Sequence, residues 1–133
     1  MTEKFDIDNL TQNAYVIGKL NEEIINLLNL TMDETDILIG KDKIKYTLKH
    51  KHKFRNDEEY KKCIEFTPDI IANPDYVGVH PNGKSIEFIK TIDQTLVVAV
   101  RIKPKGILWV KTIFPITPDK LNVYKKSNTL KKC

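Results

Sequence analysis

Cysteine is scarce in this chain of 133 residues: Cys63 and Cys133 are the only two, too few for a disulfide framework and without the spacing of a zinc site. No apolar run approaches the roughly 18–20 residues that a membrane span needs. The opening MTEKFDIDNL carries early acids and no apolar core, which argues against a secretory signal. There is no glycine-rich phosphate loop, no GxSxG, and no cysteine beside an obvious base, so the common nucleotide-binding and covalent-catalysis motifs are excluded. Of the three histidines, His50 and His52 stand at i and i+2, on opposite sides of a helix, and cannot share an ion. His80 is isolated next to a turn. These absences point to a cytoplasmic protein with neither a metal nor a cofactor.

What is present is charge, and its placement says more than its sum of +4. Lys41, Lys43, Lys45, Lys49, Lys51, Lys53 and Arg55 fall in one short segment against a single acid, Asp42. Lys120, Lys125, Lys126, Lys131 and Lys132 form a second basic cluster near the end. The stretch before Lys41 is acidic by contrast. Such asymmetry suits a polyanionic partner, nucleic acid ahead of an anionic membrane, although solvated lysine faces would look the same. No membrane partner is expected.

The length suits one domain over residues 1–133, with 1–14 as a frayed lead-in and 125–133 as a basic tail. Leu20, Ile24, Ile25, Leu27, Leu28 and Leu30 make a helical stripe, with Asn21 as its N-cap. Ile37–Ile39, ended by Gly40, reads as an edge strand. Lys41–Lys53 reads as a second helix with Ile44 and Leu48 on its buried side. A third spans Asp57–Phe66, capped by Asn56 or Asp57, with Tyr60, Cys63 and Ile64 inward. Thr67-Pro68 and Thr117-Pro118 each read as a cap followed by proline at the first helical position. Asp75–His80 is a short strand.

The stretch from Ser85 to Ile116 organises the rest. SIEFIKTIDQTLVVAVRIKPKGILWVKTIFPI alternates as three β-strands joined by tight turns, with one continuous apolar face. The other face is expected to be open to solvent and to carry Glu87, Arg101, Trp109 and Lys111. A three-residue loop Asp93–Thr95 sets Glu87 opposite Arg101; slipping by one residue would bury the carboxylate. Pro104-Lys105-Gly106 suits a three-residue hairpin with glycine in the left-handed position, which aligns Arg101 with Trp109. The fold expected is α+β, with N-terminal helices packed on a four-stranded antiparallel sheet.

The chemistry that remains is metal-free acid–base work. RNA supplies its own 2′-hydroxyl as nucleophile, so a protein needs only a base, an acid and cations to steady the phosphoryl oxygens. His50 or His52 is one proton-transfer candidate, with i+4 spacing from Leu48 slightly favouring His52. Glu87 is the other, unless it forms a cross-strand ion pair with Arg101. Arg101 and Lys111 suit a phosphate clamp, or are ordinary strand charges. Trp109 suits base stacking, or packing. Thr112 stands where an apolar residue is expected: it is a satisfied core hydroxyl or, if its strand is bulged, a polar site residue. Lys49 and Lys53 lie in the basic segment, and Tyr124, Ser127 and Thr129 in or near the tail, where each is a phosphate contact or a solvated side chain.

The segments YTLKHKHKF, PDIIANPDYVG, SIEF, TLVVAVRIK and ILWVKTIFPIT, in that order, resemble the barnase/EndoU/colicin/RelE-like (BECR) nuclease domains of phage polyvalent proteins and toxin-like modules. The resemblance runs from about Tyr15 to Lys132. It implies a barnase-like ribonuclease fold and metal-independent RNA cleavage on the open face of the sheet, directed at tRNA or mRNA. An immunity or antitoxin protein would then be a partner. Carried over by position, the helix histidine is His50 with His52 beside it, and the strand polar residues are Ser85, Glu87, Arg101, Lys111 and Thr112. The reading is therefore a toxin-like endoribonuclease, against a module that binds nucleic acid or a host factor without turnover.

Overall fold

A computed structural model describes residues 2–103, 106–126 and 130–133. Its centre is one mixed sheet of seven strands, not the four-stranded antiparallel sheet expected, in an α+β fold. The strands are β1 (Ala14–Leu20), β2 (Thr35–Gly40), β3 (Tyr76–Val79), β4 (Ser85–Thr91), β5 (Thr95–Arg101), β6 (Leu108–Ile116) and β7 (Leu130–Lys132). They lie in the order β1-β2-β6-β5-β4-β3-β7. Only β2 and β6 run parallel. Two of the extra strands, β1 and β2, lie in stretches whose apolar spacing reads more than one way, and β7 is a short piece of the basic tail paired with β3. YVIGKL runs directly into the α1 stripe, and ILIG is an interior strand between β1 and β6 rather than an edge.

The helices are α1 (Glu22–Leu27), α2 (Lys41–Tyr46), α3 (Asp57–Glu65), α4 (Thr67–Ala72) and α5 (Pro118–Lys126), with a 3-10 helix over Thr47–Lys53. Asn21 and Asn56 cap α1 and α3, each accepting from the backbone three residues on, at 2.9 and 2.8 Å. The Thr117 hydroxyl accepts from the Lys120 amide at 3.2 Å at the start of α5. Thr67 does not cap α4: its hydroxyl donates back to the Ile64 carbonyl at 2.6 Å. The predicted second helix is broken. From Thr47 the turn tightens, so the side-chain period falls from 3.6 to 3 and the buried line passes from Ile44 to Thr47, leaving Leu48 56% exposed.

Alternate strand residues build two cores. Ile86, Phe88, Leu96, Val98, Val100, Val110 and Ile113 face the first four helices, among them Ile44, Tyr60, Cys63, Ile64 and Ile70. Near Tyr15 the packing is tight enough to require glycine. A Cβ on Gly18 would lie 2.5 Å from Ile71 Cγ2 of α4, beside a bulge in β1. The lead-in is tied down too, with Phe5 buried and the Glu3 amide donating to the Val16 carbonyl at 2.6 Å. On the opposite face Ile89, Val97 and Ile116 form a smaller core with Tyr76, Phe114, Leu130 and the Leu121 and Tyr124 side chains of α5. That second cluster overturns the expectation that this face is open to solvent: α5 packs over the β3–β5 side of it, and β7 extends the sheet beyond β3.

Candidate active site

The polar residues of the covered face fall in rows across the strands. The β4–β5 loop has three residues, but they are Ile92–Gln94, closed by Thr91 and Thr95, whose hydroxyls lie 2.9 Å apart. The ladder therefore slides by two residues from the expected register. An even slide keeps every side chain on its face, so Glu87 still shares a face with Arg101, but its cross-strand partner is Ala99. Arg101 stands opposite Ser85 on one side and, as expected from the Gly106 turn, opposite Trp109 on the other. Gly106 has φ +88°; Pro104 and Lys105 lie outside the described residues.

A bulge in β6 sets the next row. Ala99 pairs with Thr112 and Val100 with Val110, so Lys111 is the extra residue, exposed between the two rows. The bulge is what carries Thr112 onto the face of Glu87 rather than into the main core. One row reads Trp109, Arg101, Ser85; the next reads Thr112, Ala99, Glu87, Gly78. Ala99 is buried but belongs to neither apolar core, which leaves a small side chain between Glu87 and Thr112.

Glu87 is only 6% exposed. Among the described residues no cation lies within ion-pair distance of it, Arg101 included. Burial raises its carboxyl above the usual range, and the charges of His80 and Lys120 draw it part of the way back. Tyr124 shares this environment, pushed up by burial and by the Glu87 charge.

His80 and Lys120 were not candidates on sequence, yet they are the charges that reach Glu87. His80 follows Tyr76 and Gly78 in strand parity, and its amide donates to the Ser85 carbonyl at 2.9 Å, at the end of the Arg101–Ser85 row. Its Nδ1 accepts from the Asn82 amide at 3.1 Å, which assigns the ring proton of the neutral form to Nε2. Parity with Gly78 was the available signal for His80. Lys120 had none, since nothing local places α5 over the sheet.

The paired histidines separate. With a period of three from Thr47, His50 turns to the sheet and its ring centre lies 6.3 Å from that of Phe114 in β6, while His52 is exposed. Leu48 is exposed, so i+4 spacing from it does not bring His52 to a buried face. Burial, then Lys53, Lys49 and His52, holds His50 below the ordinary imidazole range. His50 meets the covered face two strands from β4, the strand of Glu87. Lys49 turns away, its Nζ 4.0 Å from the Tyr46 ring centre and 2.8 Å from the Tyr46 hydroxyl. Lys53 lines a cavity with Lys120, Thr91 and Thr95. Trp109 is 38% exposed, and Ser127 and Thr129 lie outside the described residues.

A second buried glutamate makes a useful contrast. Glu59 of α3 accepts from Gln94 Nε2 at 2.9 Å and pairs with the Arg55 guanidinium, and these hydrogen bonds hold it below the usual carboxylate range. It ties α3 to the β4–β5 hairpin. Among the described residues no three His, Cys, Asp or Glu gather as a metal site, and no helix is long and apolar enough to cross a membrane.

Glu87, its carboxyl raised by burial, shares a sheet face with Arg101 and feels the charges of His80 and Lys120, a set of groups that can exchange protons and meet a phosphate ester. The chain belongs to the family described as phage-Barnase-EndoU-ColicinE5/D-RelE like nuclease3, whose model matches residues 15–123, from Tyr15 in β1 through β6, and takes in His80, Glu87 and Lys120. The activity class this membership defines is nuclease. Comparison with curated proteins and with solved structures gave no match.

Proposed function

We propose that this nuclease is a metal-independent endoribonuclease, with Glu87 and His80 as its proton-transfer pair. The observation that carries the reading is the burial of Glu87, with no cation within ion-pair distance among the described residues and with the charges of His80 and Lys120 acting on it from further off. A carboxylate with a raised pKa is a better base while it remains ionised. Glu87 takes the proton of the 2′-hydroxyl as that oxygen attacks phosphorus. His80 acts as imidazolium, its Nδ1 protonated and released from the Asn82 amide, and passes its Nε2 proton to the departing 5′-oxygen, which leaves a neutral ring. Arg101, Lys120 and Lys111 are placed to balance charge growing on the phosphoryl oxygens, and Thr112 and Ser85 to hydrogen-bond them. Trp109, beside Arg101, offers an exposed ring to a base. His50, across the face at Phe114, is placed to contact the same strand of RNA further along.

The test is cleavage of total RNA, and of single- and double-stranded DNA, by the purified protein in EDTA. The expected result is RNA cut with 2′,3′-cyclic phosphate ends and DNA left intact. Loss of cutting in EDTA, or equal cutting of DNA, defeats the reading. If RNA stays whole but shifts in a gel with steep salt dependence, the chain is a binding module instead. A toxin-like role is the cellular form of the same proposal: induction halts bacterial growth, and Glu87→Gln relieves the arrest.

A further inference from the structure

The hairpin end of the covered face holds a cavity of about 630 Å³, lined by Lys53, Thr91, Thr95, Pro115, Ile116 and Lys120 among others. That volume lies inside the range of roughly 300–1,000 Å³ usual for small-molecule sites. Two features separate it from an ordinary surface hollow. Its two lysines come from different elements, the 3-10 helix and α5, and among the described residues neither has an acid within ion-pair distance. Lys19, Lys51, Arg55, Lys61, Lys62 and Lys90 have such partners and most of the other basic residues do not; what sets Lys53 and Lys120 apart is that they line one cavity. The one acid on the cavity wall, Asp93, is engaged by Lys62 at 3.1 Å.

The walls differ in character as well. Pro115 and Ile116 give an apolar surface, while the Thr91 and Thr95 hydroxyls, bonded to each other at 2.9 Å, keep lone pairs for a base edge or a ribose. Lys120 links the cavity to the candidate site, since it lines the one and its charge acts on Glu87 in the other, and Lys53 follows His50 by one turn of the 3-10 helix.

We propose that this cavity is a second nucleotide subsite, which takes the nucleotide next to the one being cut, its phosphate held between Lys53 and Lys120. The inference rests on the ribonuclease reading for the identity of the strand, and it makes the enzyme selective for chains longer than two nucleotides.

The experiment compares kcat/KM for a dinucleoside monophosphate and a tetranucleotide. It also measures the affinity of a 2′-O-methylated tetranucleotide, whose nucleophile is blocked, by fluorescence anisotropy across a salt series. The tetranucleotide is expected to be preferred by about tenfold or more, about 1.4 kcal/mol. In Lys53→Glu, an exposed substitution, that ratio falls toward one, and the affinity for the blocked tetranucleotide drops by a similar factor. Lys53→Ala lowers the salt slope by roughly 0.7, as loss of one phosphate contact to a single strand requires. Equal kcat/KM for the two lengths in the unaltered protein overturns the subsite, as does an affinity unchanged in Lys53→Glu. If neither RNA is cut while the blocked tetranucleotide still binds in a Lys53-dependent way, the ribonuclease reading falls and the subsite stands.

Discussion

Glu87 and Thr112 stand in one row of the sheet with only the methyl group of Ala99 between them, because a bulge at Lys111 brings Thr112 onto the carboxylate's face. The small side chain is therefore part of the site. Ala99→Leu fills the space where a phosphate would meet both residues, and overpacking costs about 1–3 kcal/mol of stability. Cleavage is expected to fall about 100-fold or more, the scale of a lost acid–base geometry. Circular dichroism and a urea melt establish that the fold survives. Unchanged cleavage in a folded Ala99→Leu protein would mean that substrate does not enter this row.

The three imidazoles are ranked by their distance in the fold from Glu87, not by their distance in sequence. His80→Ala is expected to cost about 10²–10⁴ in kcat/KM, the usual range for a positioned acid or base. His50→Ala, whose ring meets the sheet at Phe114, is expected to lose no more than about tenfold, through binding. His52→Ala, exposed on the far side of the 3-10 helix, stays within about twofold. A protein that tolerates His80→Ala but dies with His50→Ala would move the reacting phosphate toward β6.

How much of this could be read from the sequence follows from which signals are local. Strand alternation from Ser85 to Ile116 is local, so the β4–β5–β6 meander, the shared face of Glu87 and Arg101, and the Arg101–Trp109 pairing were all legible. Register was not. The Thr91–Thr95 pair closes the hairpin one residue earlier than expected, and the Gln94 side chain is drawn off to Glu59. Those are tertiary choices that turn propensity does not encode. Outside the meander, β3 was legible as Asp75–His80 and β2 as Ile37–Ile39, though not its interior place beside β6; β1 and β7 were not, because they gain their hydrogen bonds from partners distant in sequence. Burial of Glu87 was missed for the same reason, since it depends on α5 returning over the sheet after the meander ends.

The approach of α4 to β1 supplies a stability test far from the site. Gly18→Ala places a methyl 2.5 Å from Ile71 Cγ2, so something must move. A loss of about 1–3 kcal/mol is expected, read as a lower urea midpoint at unchanged m-value. Ile71→Leu removes the branch that the new methyl meets, so the double variant is expected to recover part of the loss. Strict additivity of the two changes would show that they do not touch.

The two buried glutamates predict opposite responses to pH. Glu59 is held low by Gln94 and Arg55. The stability it contributes is present above its unfolded pKa and is lost as pH falls through its folded value. Glu87 is held high by burial, so its folded state binds a proton more tightly than the unfolded chain does. What it contributes is present below its unfolded pKa and is lost as pH rises through its folded value. Glu87→Gln removes that loss. The variant is expected to be more stable than the parent at pH 7 by about 1–2 kcal/mol, within the usual cost of burying a poorly compensated polar group, with the gain shrinking toward pH 4. Glu59→Gln does the reverse, less stable than the parent at pH 7 with the gap closing in acid. Urea midpoints at both pH values read out both effects. Because a general base must be ionised to act, the same raised carboxyl puts the acid limb of the cleavage profile above the ordinary carboxylate range. A limb at the ordinary position, in a protein whose Glu87→Gln form gains no stability at pH 7, would remove Glu87 from the chemistry and leave it a spectator under α5.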